Sequence, residues 1–154
     1  MKLAIGCDEA AFQLKETIKE LLQNKGVEVQ DFGTYSEDEK VLYPDVSIKV
    51  AESVQKNENE RGILICGTGI GMAIAANKVE GIRAAVCHDP YSTERSRKSN
   101  NAQIMCMGAR VIAPELAKYL VELWLSCEFA GGGSKEKVDR ICEYEKTTKN
   151  AVNI

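Results

Sequence analysis

The chain has 154 residues, enough for one domain with a full core. Its 44% hydrophobic and 28% charged residues are ordinary for a globular protein, and 20 basic against 23 acidic residues remove any electrostatic case for nucleic acid. The N-terminus enters a strand pattern directly, without the features of a signal peptide. No apolar run approaches the ~18 residues of a membrane span, so a cytoplasmic location is expected. Six cysteines (Cys7, Cys66, Cys87, Cys106, Cys127, Cys142) form no C-x-x-C pair, which disfavours zinc and a disulfide scaffold. They are read as reduced thiols, five of them small core residues and Cys66 the exception.

In chain order, Lys2 to Gly6 reads as a first strand ending in Cys7-Asp8-Glu9. From Ala11 to Asn24 the spacing of Ala11, Leu14, Ile18, Leu21 and Leu22 predicts a helix, stopped by Lys25-Gly26. Val27 to Asp31 is the second strand, and Gly33 to Tyr43 a polar loop. Pro44 opens a helix with Val46, Val50, Ala51 and Val54 facing a core. Ile63 to Ile65 is a short buried strand that leads into a glycine-rich turn and an Ala-rich helix. Gly81 to Cys87 is the fourth strand, closing on His88-Asp89, and Pro90 to Ser99 a short polar helix. Ala102 to Met107 is the fifth strand. Pro114 opens a helix with Leu116, Ala117, Leu120, Val121 and Trp124 inward, and Gly131-Gly132-Gly133 precedes a last helix from about 134 to 146. Strands alternating with helices predict a Rossmann-like three-layer α/β/α sandwich on a five-stranded parallel sheet, a single domain over 1–154.

Ligands of such sheets bind beyond the carboxyl ends of the strands. Asp8, Glu9, Cys66, the glycine loop, His88 and Asp89 all fall there, so they are expected to share one rim. The loop Cys66-Gly67-Thr68-Gly69-Ile70-Gly71 lacks the Gly-Lys-Ser/Thr of a Walker loop, and Met72 breaks G-x-G-x-x-G. It is either structural or an anion trap, with glycine amides and a helix start as donors. Cys66 is either a small core residue or a nucleophile or base whose thiol pKa those donors lower. His88, the one histidine, is either a structural or rim residue or a catalytic one. Asp8 and Glu9 are either an acid–base pair or a helix-cap region. Lys135, Lys137 and Arg140 are either a solvated helix face or a phosphate clamp.

The Cys66–Gly71 run, with Ala75-Ala76-Asn77-Lys78-Val79 and Gly81-Ile82-Arg83-Ala84, resembles the type B ribose-5-phosphate isomerase and galactose-6-phosphate isomerase family. Gly6-Cys7-Asp8, Tyr43-Pro44, Gly108-Ala109-Arg110-Val111 and Gly131-Gly132 extend the resemblance over nearly the whole chain. It implies aldose–ketose isomerisation of a sugar phosphate through a cis-enediolate, with no metal and no other cofactor, no nucleic acid and no membrane. It also implies a homodimer, or a dimer of dimers, with shared sites and the last helix packed on the partner. By position, Cys66 and Thr68 match catalytic residues, Cys66 being the base. Gly67, Gly69 and Gly71 match the loop that holds the enediolate oxygen. Asp8, Glu9, Tyr43, Ser99 and Asn100 match substrate-binding positions, Asn100 from the neighbouring subunit, and Arg110 and Lys137 match phosphate-binding ones.

The departures from that pattern carry information. Asp8-Glu9 replaces the Asp-His of the ribose enzymes, Ser99 replaces their ring-opening histidine, and two clamp arginines fall at Gly133 and Lys137. A 4-phosphate of a four-carbon sugar has its O4 esterified and forms no furanose, so its isomerase needs no ring opener. The lead expectation is interconversion of D-erythrulose 4-phosphate and D-erythrose 4-phosphate. The alternatives are a ribose-5-phosphate isomerase, a six-carbon sugar-phosphate isomerase, and a sugar-phosphate-binding module without turnover.

Overall fold

The structure is a computed structural model that describes residues 1–151; residues 152–154, the end of the expected domain, lie outside the described residues. Five strands, β1 (Lys2–Cys7), β2 (Glu28–Asp31), β3 (Arg61–Cys66), β4 (Ala84–Val86) and β5 (Ile104–Gly108), alternate with six helices. These are α1 (Phe12–Asn24), α2 (Tyr43–Gln55), α3 (Ile70–Ala76), α4 (Pro90–Lys98), α5 (Pro114–Ser126) and α6 (Gly133–Ala151). The sheet is parallel throughout, in the order β2-β1-β3-β5-β4. The chain is therefore the expected α/β sandwich, and the central strands read as apolar runs because helices cover both faces.

One core layer joins α1 and α5 to the sheet through Leu14, Ile18, Leu120, Val121 and Trp124, against Leu3, Ile5, Ile63 and Met105. The other joins α2 and α3 through Val46, Val50, Met72 and Ala76, against Ala4, Leu64 and Cys106. Gly6 and Gly62 let α2 lie close to the sheet: a Cβ would meet Val46 Cγ1 at 2.6 Å from Gly6 and Val50 Cγ1 at 2.9 Å from Gly62. Ser47 Oγ ties α2 to α3 by donating to the Met72 carbonyl at 2.7 Å.

Four local expectations are corrected. Residues Glu9–Ala11 form a 3₁₀ turn, so α1 begins at Phe12. Leu116 on α5 is exposed rather than inward. The expected fourth strand, Gly81 to Cys87, shrinks to Ala84–Val86, because side chains take the polar groups of the preceding residues. Glu145 accepts from the Gly81 N–H at 2.8 Å, and Gln103 accepts from the Arg83 N–H and donates to the Gly81 carbonyl, both at 2.8 Å. Among the cysteines, Cys142 on α6 is only half-buried, whereas the other five, Cys66 included, are buried.

Candidate active site

Strand β3 delivers Cys66 to the carboxyl edge of the sheet, between the ends of β1 and β5. The chain then turns so tightly that two glycines have no substitute. Gly69 sits at φ 78°, and a Cβ there would meet the Met107 backbone at 2.9 Å. A Cβ on Gly108, at the end of β5, would meet the Thr68 Cα at 2.6 Å. The turn is clamped to the next strand, as Ala109 N–H donates to the Cys66 carbonyl at 2.8 Å and Arg110 N–H to the Gly67 carbonyl at 3.0 Å. The Cys66 side chain is 5% exposed, and the Gly69 N–H donates to its sulfur at 3.1 Å. In the first turn of α3, the Ile70 N–H donates to Thr68 Oγ1 at 3.3 Å, while the Gly71 and Met72 amides have no acceptor within the helix.

A cleft of about 420 Å³ opens over this turn, lined by Asp8, Tyr43, Cys66, Thr68, Gly71 and Arg110 among others. The Tyr43 ring lies on Gly71, where a Cβ would meet its hydroxyl at 2.6 Å. Among the described residues, two charged groups that line the cleft have no ion-pair partner. Asp8 Oδ1 is buried and accepts no hydrogen bond, and burial together with the neighbouring Glu9 pushes the Asp8 carboxyl above the usual range. Arg110 is exposed, and among the described residues its guanidinium has no ion-pair or hydrogen-bond partner. A buried acceptor and a free fork of donors on one wall form an arrangement that a polyhydroxylated anion completes.

Scanned for its family, the chain matches the model described as Ribose/Galactose Isomerase over residues 3–141. It is 56% identical to Ribose-5-P isomerase B of Listeria innocua, over 97% of this chain and 100% of that one. It is 53% identical to D-erythrulose-4-phosphate isomerase of Pectobacterium atrosepticum, over 97% of this chain and 99% of that one. The solved structure of Clostridium thermocellum Ribose-5-Phosphate Isomerase B superposes with a TM-score of 0.94 at 48% identity, covering 96% of this chain and 99% of that one. The chain belongs to the ribose/galactose isomerase family. It is an isomerase by that membership, and among the described residues no helix is long and apolar enough to cross a membrane.

Against this family member's geometry, the expected site residues fall into three groups. Asp8, Tyr43, Cys66, Gly67, Thr68, Gly71 and Arg110 line the one cleft, with Gly69 beneath it. Glu9 is adjacent but faces the loop before α2, where its carboxylate accepts from the Val41 N–H at 3.4 Å. Ser99, Asn100 and Lys137 are not in this cleft. Ser99 and Asn100 follow α4 at the amino end of β5, the opposite edge of the sheet from Cys66, and Lys137 is exposed on α6.

His88 is not part of the cleft either. Its Nε2 accepts from the Gly108 N–H at 2.8 Å, which fixes that nitrogen unprotonated, and burial lowers its pKa against the opposing Asp89. Asp89 caps α4 by accepting from the Ser92 N–H at 2.8 Å. Burial pushes the thiol of Cys7, at the neighbouring strand end, up to about 12, so that Cys7 stays protonated. One feature of this edge escapes sequence reading, the fully buried Lys15. Its Nζ donates to both Asp31 oxygens at 2.9 and 2.8 Å and to the Thr34 carbonyl at 2.7 Å, and so anchors the loop beside Asp8.

Proposed function

We propose that the protein interconverts D-erythrulose 4-phosphate and D-erythrose 4-phosphate through a cis-enediolate, with Cys66 as the base. The observation that carries the chemistry is the Gly69 amide on the Cys66 sulfur, at the floor of a cleft whose Asp8 and Arg110 are unpaired. In the ketose-to-aldose direction the Cys66 thiolate takes a proton from C1. Electrons move into the C1–C2 bond and onto O2, and the thiol then returns the proton to C2. The hydroxyl proton passes from O1 to O2 in the same conversion, and Thr68 on the rim relays it. Amides of the Gly67–Gly71 loop hold the oxygen that becomes negative, and one such donor is worth ~10²–10³ in rate. Asp8 and Tyr43 orient the sugar hydroxyls, and Arg110 takes the phosphate.

The absence of a ring opener supports the four-carbon substrate. Ser99 stands where the resemblance places a histidine, and His88 has its Nε2 committed to Gly108. A substrate whose O4 carries phosphate is open-chain and needs no such group. Ser99, Asn100 and Lys137, remote from their own cleft, then serve the cleft of a second copy, with α6 lying across the subunit boundary. Exposed Ile141 and Tyr144 on α6 support that packing.

The deciding experiment is side-by-side turnover of D-erythrulose 4-phosphate and D-ribose 5-phosphate by the purified protein. A preference for the tetrose of tenfold or more in kcat/KM, about 1.4 kcal/mol, is expected. A preference for ribose 5-phosphate would replace this reading with the second one, ribose-5-phosphate isomerase, which the 56% identity to the Listeria innocua relative favours. Turnover of neither, with binding retained, would leave a six-carbon sugar-phosphate isomerase or a sugar-phosphate-binding module.

A further inference from the structure

The turn that carries Ser99 and Asn100 is held by a residue outside it. Asn101 lies at φ 47°, in the left-handed region that asparagine enters more readily than most residues, so the chain turns sharply here. The amides of the turn close on α4, and Arg97 Nη1 donates to Asn101 Oδ1 at 3.2 Å and to the Ala102 carbonyl at 2.8 Å, while Arg83 holds the carbonyls of the turn from outside. Its Nε donates to the carbonyls of Asn100 and Asn101, both at 3.2 Å, and its Nη2 to that of Asn101 at 3.0 Å. Nη1 donates to the Gly81 carbonyl at 3.2 Å and reaches the Cys142 sulfur of α6 at 3.6 Å. The Arg83 main chain is itself pinned, since its N–H donates to Gln103 Oε1 at 2.8 Å, and Asn77 brackets Ala84 with two hydrogen bonds of 2.8 and 2.9 Å. One planar fork thus joins the Asn100 turn, the start of β4 and α6, the helix that carries Lys137.

We infer that Arg83 is a positioning residue of the shared active site: it sets the Asn100 turn, and through that turn it acts in the cleft of the partner subunit rather than in its own. The inference rests on the shared-site reading above. Arg83 touches no residue of its own chain's Cys66 cleft, and its donors are spent on carbonyls, so it is not a substrate contact. A lysine cannot replace it, because a single ammonium lacks the fixed fork that reaches three carbonyls at once.

The test is mixed dimers made by co-expressing two differently tagged chains and purifying those that carry both tags. The chain pairs are Cys66→Ala with Asn100→Ala, Cys66→Ala with Arg83→Met, and Cys66→Ala with Arg83→Lys. Cys66→Ala alone is expected to lose about 10³-fold or more, and each of the other variants alone about ten- to a hundredfold in kcat/KM, the effect of a misplaced contact. If Arg83 acts across the boundary, each mixed dimer has one site carrying both lesions and one intact site, and regains about half of wild-type turnover. Recovery with Asn100→Ala but not with either Arg83 variant places the defect in the variant's own cleft and overturns the inference alone. Failure of the Asn100→Ala pair to recover overturns the shared-site reading and the inference with it. Should Arg83→Met not fold, Arg83→Lys decides: wild-type kcat/KM within twofold would show that the fork positions nothing.

Discussion

Two aspartates stand at the carboxyl ends of the neighbouring strands β1 and β2, and they are treated in opposite ways. Asp31 is finished. It accepts from Lys15 at 2.9 and 2.8 Å, from Lys19 at 2.9 Å and from the Gly33 N–H at 2.8 Å. Burial alone would raise its carboxyl, but these donors outweigh it and hold the group below the usual range. Asp8 is left open, with one oxygen buried and unpaired and its carboxyl pushed up by burial and by Glu9. The Ala11 and Ala10 amides relieve it only in part, and Arg110 attracts it without bonding to it. A folded chain that fully satisfies one carboxylate and strands another at the end of the next strand is pre-organised for a ligand at the second. The paired cluster belongs to the scaffold, and the unpaired groups are the ones proposed for the reaction.

That division is first broken at its centre. Cys66→Ala should lose about 10³-fold or more of kcat while still binding substrate, because only proton transfer is removed. Steady-state turnover and calorimetric titration on the same preparation measure both, and activity within a few-fold of wild type would take Cys66 out of the base role. Asp8→Asn comes next, with a fall of about ten- to a hundredfold in kcat/KM, the worth of a charged hydrogen bond to substrate. Its melting temperature should be equal to that of wild type or higher. The folded carboxyl titrates above its unfolded value, so its contribution is present below about pH 4 and lost as pH rises through the folded value. At neutral pH the charge therefore opposes folding, and asparagine removes it. A clear loss of stability on this substitution would class Asp8 with Asp31.

Which side of the division the sequence reveals is a matter of distance along the chain. The Cys66–Gly71 turn is legible because strand, glycines and helix are contiguous, and the need for Gly69 at φ 78° is written locally. Asp8, Tyr43 and Arg110 are separated in sequence, yet each sits at a strand end or helix start, and the topological rule brings those together. The supporting contacts follow no such rule. Lys15 lies between Leu14 and Ile18 in a helix studded with charges, and nothing in that spacing shows that it is fully buried while Lys19 stays partly exposed. Arg83 reads as a strand residue, because its task is to bond main-chain carbonyls 17 and 18 positions away. Leu116 satisfies a helical spacing yet is exposed, since the apolar stripe of α5 is narrower than the pattern allows. His88 beside Asp89 resembles a catalytic pair until the Gly108 amide is seen on its ring.

Arg110 sharpens the contrast by a smaller amount. Arg110→Ala should raise KM about tenfold with little change in kcat, since a contact to the non-reacting phosphate binds ground and transition states alike. An unchanged KM would assign the phosphate to other groups.

The smallest effect on activity lies on the paired side, where the loss is one of stability. Asp31→Asn keeps the shape of the carboxylate but removes the charge that Lys15 and Lys19 face, and it should cost about 2 kcal/mol at neutral pH with kinetic constants nearly unchanged. The sign of the pH dependence follows from the depressed carboxyl. Folded Asp31 stays ionised to lower pH than in the unfolded chain, so its contribution is present above about pH 4 and is lost as pH falls through the folded value. Urea unfolding of wild type and Asp31→Asn at a series of pH values should therefore show a constant gap from pH 7 down to about pH 4.5, closing below that. The same series on Asp8→Asn should show the reverse, a variant that is no less stable at neutral pH and loses its advantage in acid. If both gaps close in the same direction, the two aspartates are not the paired and unpaired halves of one edge.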